Sequence, residues 1–343
     1  MIGLAVIGAG YWGPNLVRNA QATPALHLRW LCDLNESRAR SVLGPYSTVK
    51  VSTCYEQVLA DPAVAAVAIA TPAATHFDLV RAALDAGKHV LVEKPLTCSY
   101  ADGVKLVQAA QRAGLVLMCD HTFCYTPAVQ KIRDLISAGE IGDLCFFDSV
   151  RVNLGLIQPD VNVLWDLAPH DAAILDFILP ADVRPVAVTA HGTDPLSTGR
   201  ACVAYLSMWL SSGVLAHVHV NWLSPTKIRT VVIGGSRRTI VWDDLNPAHR
   251  LTIYDRGVDQ AADPDERRQA LISYRLGDAL LPALPESEAL GTVMTEFAAA
   301  INNGRAPRTD GRAGLRVLAV LEAAAQSMAL GGARIDIPNG VAP

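Results

Sequence analysis

Six short runs of continuous apolar character recur within the first 121 residues: "GLAVIG", "LHLRWLCD", "TVKVST", "VAAVAIAT", "KHVLVEK" and "LVLMCDH". Stretches of Ala, Leu, Gln and Arg with helical spacing separate most of them. A strand with one wet face alternates apolar and polar residues. These runs are too uniformly apolar for that, so each must be covered on both faces. A parallel sheet with crossover helices on either side meets the requirement, which predicts a doubly wound α/β unit. Such a sheet takes its ligand across the carboxyl ends of its strands, so the strand ends are where functional residues are expected.

The first run leads into "GAGYWG", with Gly8, Gly10 and Gly13 in GxGxxG spacing. Alone the spacing is weak, because glycines also make ordinary turns. Here it follows a strand, precedes the helix-compatible "NLVRNAQ", and is followed twenty positions after Gly13 by Asp33 at the end of the second run. In that setting Gly8 permits a tight turn, Gly10 admits a pyrophosphate to the backbone, and Gly13 allows close packing of a helix whose first amides face the anion. Tyr11 and Trp12 share the loop and are candidate cofactor contacts. Asp33 would accept hydrogen bonds from a ribose 2′-hydroxyl and repel a 2′-phosphate, which favours NAD. It could instead cap the helix that begins in "NESRAR", and Arg38 in that segment could tolerate a phosphate, so NADP stays open.

Two further strand ends carry "TPAATH", with Thr71, Pro72 and His76, and "EKP", with Glu93, Lys94 and Pro95. A lysine in a loop is usually a solvated cation. Lys94 directly follows a buried strand, and Pro95 restricts the backbone beside it, so it reads as a fixed cation near the expected nicotinamide position. Thr71, Pro72, His76, Glu93 and Lys94 join the candidate cofactor contacts, and His121, at the end of the sixth run, is a candidate for substrate.

With 343 residues, 51% of them hydrophobic, the chain has material for two cores. The expected division is a dinucleotide-binding domain over 1–122 and an α+β domain over 123–343. After His121, "TPAVQKIRDLISAGEIG" repeats Val129, Ile132, Leu135 and Ile136 at helical spacing and stops at Gly139 and Gly142. Strand patterns then crowd together, from "LCFFDSVRVNL" to "RLTIYD", which indicates a mostly antiparallel sheet. The segments "EFAAAINNG" and "AGLRVLAVLEAAAQSM" read as helices that pack back, and "DPDERRQ" as a solvated turn. His217 and His219 in "HVH" share a strand face, but no third ligand is suggested, so no metal is expected.

The formal charge of −4, with no long Lys/Arg run, offers no footprint for nucleic acid or an anionic membrane. No apolar stretch is long enough to span a bilayer. The seven cysteines are odd in number and scattered without a CxxC pair, as expected of free thiols in a reducing compartment. The N-terminus lacks a basic region and a cleavage site, and a cytoplasmic protein is the expectation.

In "VNVLWDLAPHDAAILDF" (161–177), Asp166 is placed to cap a helix, and Pro169 suits a first turn. His170 then falls one turn above Asp166, on the face shared with Ile174, Phe177 and Ile178. One account is a capping acid beside a satisfied core histidine. The other is catalytic: the helix N-terminus would keep the imidazole neutral and able to take a proton, while the carboxylate fixes its orientation. A base for a hydroxyl proton, a cation for the alkoxide and a hydride acceptor together make an alcohol dehydrogenase.

With these segments in view, the chain resembles the Gfo/Idh/MocA oxidoreductases, a family that includes glucose-fructose oxidoreductase, inositol dehydrogenase and nucleotide-sugar 3-dehydrogenases. The resemblance runs through "GAGYWG", "TPAATH", "EKP", "GEIG" and "WDLAPHD" and so spans essentially the whole chain. It implies an N-terminal Rossmann domain and a C-terminal domain with a large open-faced sheet that builds homodimers or homotetramers. It also implies catalytic roles for Lys94, Asp166 and His170. "HTFCYTPAVQKI", "RVNLG" and "DVNVLWDLAPHD" are most similar to the branch acting at the 3-hydroxyl of UDP-N-acetylglucosamine-type sugars, with antibiotic-sugar and aminocyclitol relatives close by. Arg151, Asn153, Asn162 and Trp165 lie near the motif and could contact substrate hydroxyls or a phosphate; the first three read equally well as ordinary strand or loop residues. Two rival functions stand beside sugar oxidation: glycoside cleavage with transient oxidation and no net NADH, and a non-catalytic nucleotide-binding sensor that would need neither Lys94 nor His170.

Overall fold

The structure, a computed structural model, describes residues 1–155, 157–158, 161–255, 257–259 and 273–338. The "DPDERRQ" segment lies outside them. The chain divides into two compact units. The first comprises residues 1–126 and 287–322, the second residues 127–286 and 323–338. The second unit is therefore not one uninterrupted run from residue 123, because the segment from Ser287 to Glu322 groups with the first.

All six apolar runs of the first unit are strands: β1 (Ile2–Ile7), β2 (Leu26–Cys32), β3 (Lys50–Ser52), β4 (Ala66–Ile69), β5 (His89–Glu93) and β6 (Leu117–Asp120). They form a parallel sheet in the order β3-β2-β1-β4-β5-β6. Helices α1 (Gly13–Ala22), α2 (Glu36–Leu43), α3 (Tyr55–Ala60), α4 (His76–Asp85) and α5 (Tyr100–Ala113) connect successive strands. The order reverses beside β1, the arrangement that opens a crevice at the strand carboxyl ends. Leu4, Ala5, Val6, Val67, Ala68 and Val90 are completely buried, as a sheet covered on both faces requires.

In the second unit α6 (Pro127–Ser137) leads into β7 (Leu144–Leu154), followed by α7 (Val163–Ile178), β8 (Pro185–Thr193), β9 (Val203–Leu210), β10 (Leu215–Asn221), β11 (Leu223–Gly235), β12 (Thr239–Asp243) and β13 (Leu251–Tyr254). The pair β14 (Gly257–Asp259) and β15 (Ser273–Arg275) forms a separate ribbon. β16 (Ala279–Leu280) joins one edge of the main sheet and β17 (Ile335–Asp336) the other. Between them, α8 (Ala289–Asn303) and α9 (Gly311–Ala329) complete the chain. The nine-stranded sheet is mixed and mostly antiparallel; β7 and β10 pair in parallel.

Alternation along β7, β9 and β10 separates two faces. Phe147, Leu206, Met208, Val218 and Val220 are buried on the face against α7. Phe146, Tyr205 and Leu215 remain part-exposed on the other, where Tyr205 stacks on His217 and His219 with ring centroids 6.4 and 4.4 Å apart. No group of three or more His, Cys, Asp or Glu side chains among the described residues is arranged to hold a metal.

One charged pair crosses the core face. Arg151 of β7 donates from Nε to Asp171 Oδ2 at 2.9 Å and from Nη2 to Oδ1 at 2.9 Å, while Ser149 donates to Oδ1 at 2.8 Å. The two charged side chains are 4% and 0% exposed. The fork is thus committed to fixing α7 on the sheet, which corrects the expectation that Arg151 binds substrate. Removing one partner of a buried pair strands the other's charge away from water. Asp171→Ala should lower the urea-unfolding free energy by about 3 kcal/mol or more; a loss under about 1 kcal/mol would show the guanidinium to be otherwise satisfied.

Candidate active site

The first unit brings the candidate cofactor residues to the carboxyl ends of β1, β2, β4 and β5. Gly8 has φ +99°, and an added Cβ would sit 2.6 Å from the Ala70 carbonyl oxygen. A Cβ on Gly13 would collide with the Gly8 carbonyl, so α1 starts flush against the end of β1. Gly10 differs: a Cβ there meets nothing within 4 Å. Trp12 occupies the N-cap of α1 but makes no side-chain capping bond, and Tyr11 is 95% exposed. Pro14 has no amide hydrogen, and the Asn15 and Leu16 amides donate to the Trp12 carbonyl; the open approach at Gly10 fits a dinucleotide pyrophosphate.

Asp33 follows β2. Its Oδ2 accepts from the Ala9 amide at 2.7 Å and its Oδ1 from the Asn35 amide at 2.7 Å, which fixes the carboxylate beside the glycine loop. The α2 cap is Asn35, whose side chain accepts from the Arg38 amide, so Asp33 is not the cap of that helix. Each carboxylate oxygen keeps further acceptor capacity for ribose hydroxyls. Arg38 itself is exposed in α2.

Thr71 and Pro72 follow β4, while Lys94 and Pro95 follow β5 through a cis peptide bond. His76, expected to contact cofactor, is buried between these loops: Nδ1 lies 2.8 Å from the Pro95 carbonyl oxygen and Nε2 2.9 Å from that of Thr71. Burial lowers the His76 pKa against the two carbonyls, and the Lys94 charge adds to the effect; the neutral ring packs between the loops and donates to one of the two carbonyls. The Glu93 carboxyl is also internal, with Oε2 accepting from the Lys94 amide at 3.2 Å. His121 is 2% exposed, and burial, aided by the Lys94 and Arg316 charges, pushes its pKa down to about 4.

The second unit holds Asn153, Asn162, Trp165, Asp166 and His170. Helix α7 begins at Val163, and Asn162 is its N-cap, accepting from the Trp165 amide at 3.1 Å. This replaces the expected cap at Asp166; the Asn162 amide nitrogen is not used by the cap. Pro169 lies inside the helix, where it cannot donate to the Trp165 carbonyl. His170 is consequently beyond two turns from the N-terminus. The helix field fades within the first turn, so the expected influence of the helix N-terminus does not reach this imidazole. Asp166 and His170 remain one turn apart on one face.

Asp166 Oδ2 accepts from the indole of Trp222 at 3.0 Å, and the Trp222 carbonyl accepts from the Gly155 amide at 2.9 Å. Trp222 is buried, so it anchors the acid from behind. The sequence reading missed it; the only local signal was a tryptophan at the end of an alternating strand. Asn153 is part-exposed near the end of β7, and Trp165 is part-exposed in the first turn of α7.

Residues 2–121 match an oxidoreductase family described as an NAD-binding Rossmann fold, and residues 133–337 match the C-terminal alpha/beta domain of the same family. The UDP-N-acetylglucosamine 3-dehydrogenase of Acidithiobacillus ferrooxidans is 31% identical over 322 residues, covering 92% of this chain and 93% of the relative. A solved structure of that enzyme superposes with TM-score 0.79 at 28% identity, covering 96% of this chain and 97% of its own. GenD2 from gentamicin A biosynthesis, solved in complex with NAD, superposes with TM-score 0.82 at 25% identity, covering 98% and 97%. A scyllo-inositol 2-dehydrogenase (NADP(+)) of Bacillus subtilis is 25% identical over 346 residues, covering 95% and 92%.

The loop geometry separates two glycine effects. Gly10→Ala should fold with an unfolding free energy within about 1 kcal/mol of the parent, yet bind NAD at least about tenfold more weakly. Gly13→Ala should lose stability as well, because its Cβ meets backbone. Calorimetric titration with NAD plus thermal melts checks both; unweakened binding by Gly10→Ala would remove that glycine from the phosphate site.

Proposed function

This chain belongs to the Gfo/Idh/MocA oxidoreductase family, and on that premise we propose that it oxidises a secondary hydroxyl, at C3, of a nucleotide-activated sugar. The observation that carries the reading is the pairing of Asp166 with His170 on one turn of α7, with the acid held by Trp222, in a chain whose other unit fixes Lys94 at the end of β5. NAD, when bound, supplies the hydride acceptor. His170 takes the hydroxyl proton, Asp166 orients its ring, and the Lys94 ammonium stabilises the developing alkoxide. The carbinol carbon is thereby oxidised to a ketone, and the proton leaves through His170. The anchored Asp33 carboxylate supports NAD over NADP, since it disfavours a 2′-phosphate. The part-exposed sheet face around Phe146, Tyr205 and Leu215 supports a homo-oligomer built there, an assignment that a purely monomeric sedimentation profile would refute.

The test is a panel of UDP-, dTDP- and GDP-sugars and inositols with NAD or NADP, following reduced-nicotinamide absorbance. Signal confined to nucleotide sugars is expected, and Lys94→Met should cut that turnover at least about a hundredfold while NAD still binds. A signal from inositols alone would overturn the substrate class, and undiminished turnover would remove Lys94 from the mechanism.

A further inference from the structure

Glu93 and Asp120 are the last residues of β5 and β6 and stand directly opposite each other in the parallel register. Both carboxyl groups are internal, and their four oxygens can be accounted for one by one. Glu93 Oε2 accepts from the Lys94 amide at 3.2 Å, and Asp120 Oδ1 accepts from the Thr122 hydroxyl at 2.7 Å. Among the described residues, no hydrogen-bond donor reaches the buried Glu93 Oε1 and Asp120 Oδ2. Two ionised carboxylates offer only acceptors, so a side-chain hydrogen bond between them requires a proton.

We infer that Glu93 and Asp120 share one proton and form a singly charged positioning pair for Lys94, tying the strand end that carries the lysine to β6. The inference rests on the reading of Lys94 as the group facing the alkoxide, and it adds residues that do not touch substrate. Burial first, and then the Asp120 charge, raise the Glu93 pKa well above the ordinary glutamate range. Burial raises Asp120 as well, opposed by the interactions with Glu93 and Thr122 and by the Lys94 charge. Because Thr122 already donates to Asp120, the charge is assigned to Asp120 and the proton to Glu93. Lys94 is the cation facing both. The neighbouring Cys119 thiol and His121 ring are held neutral by burial, and Arg316 of α9 faces His121. A second ionisation would place two desolvated negative charges side by side. Sharing one proton leaves one negative charge against one ammonium.

Glu93→Gln imitates the protonated acid, because its amide oxygen can accept from the Lys94 amide while its NH2 donates to Asp120. With its folded pKa raised, Glu93 makes the native state bind more protons than the unfolded chain above the ordinary glutamate range, so stability at this site falls as pH rises. E93Q lacks that dependence. Its unfolding free energy should gain on the parent steadily from about pH 5 to about pH 8. Infrared difference spectra at neutral pH should show a protonated-carboxyl C=O stretch in the parent that E93Q lacks. A flat or shrinking stability gap, or no such stretch, overturns the shared proton. Asp120→Asn removes the charge and should lower kcat about tenfold with less effect on the KM for NAD, whereas E93Q falls less. Equal kcat losses in both variants would overturn the positioning role. If Lys94→Met keeps full turnover, it is the reading of Lys94 that fails, and the infrared band and the stability gap decide the shared proton independently. Should D120N not fold, the two E93Q readouts still decide.

Discussion

Two carbonyl oxygens, those of Thr71 and Pro95, flank the buried ring of His76, and the geometry of the strand-end loops depends on that bridge. Backbone at the carboxyl end of a parallel sheet leaves the ladder inside the protein, where an unsatisfied polar group costs about 1 to 3 kcal/mol. A neutral imidazole donates to one of these carbonyls, so without it that carbonyl would need another partner, and the loop carrying Lys94 would lose its contact with the loop after β4. The close approach of Gly8 to Ala70 and of Gly13 to Gly8 completes the same rim. One edge of the sheet thus presents an unobstructed backbone approach at Gly10, a fixed carboxylate at Asp33 and a lysine at the end of β5.

The first unit was legible in the sequence because its physics is local. Strands covered on both faces must be apolar along their length, and all six runs became the six strands. The glycine spacing was equally readable, since a missing Cβ is a property of the residue itself. Asp33 was ambiguous between ribose ligand and cap, and Asn35 resolved that by taking the cap. Helix α7 was read as starting too late. Asn162 and Asp166 are both good caps, and Pro169, a residue that favours first turns, pointed to the later one. What the pattern could not weigh was the strength of apolar packing, with Ala172, Ile174 and Leu175 buried, that holds a helix through an internal proline.

The rest was hidden because it is non-local. Arg151 and Asp171 meet across strand and helix, and nothing in the spacing of twenty residues announces it. The one clue was an acid in the apolar run "HDAAIL", a position that only a buried partner makes tolerable. Trp222 reaches Asp166 over fifty-six residues by tertiary packing, and Asp120 stands opposite Glu93 only once β5 and β6 pair across the α5 crossover. Of the candidates chosen for proximity to a motif, Arg151 and His76 are buried and bonded within the protein, and Asn162 caps α7.

Chemistry at the proposed site asks two groups to act on one hydroxyl, a cation to hold negative charge on oxygen and a base to take the proton. Neither step is useful without the other, which makes their energies inseparable. A double-mutant cycle on Lys94→Met and His170→Ala, reading kcat/KM for the preferred sugar with NAD saturating, tests this most directly. The expected result is strong non-additivity, with the double variant little worse than the poorer single one. Losses that multiply would mean that the two residues act independently, and the account of a shared alkoxide would be wrong.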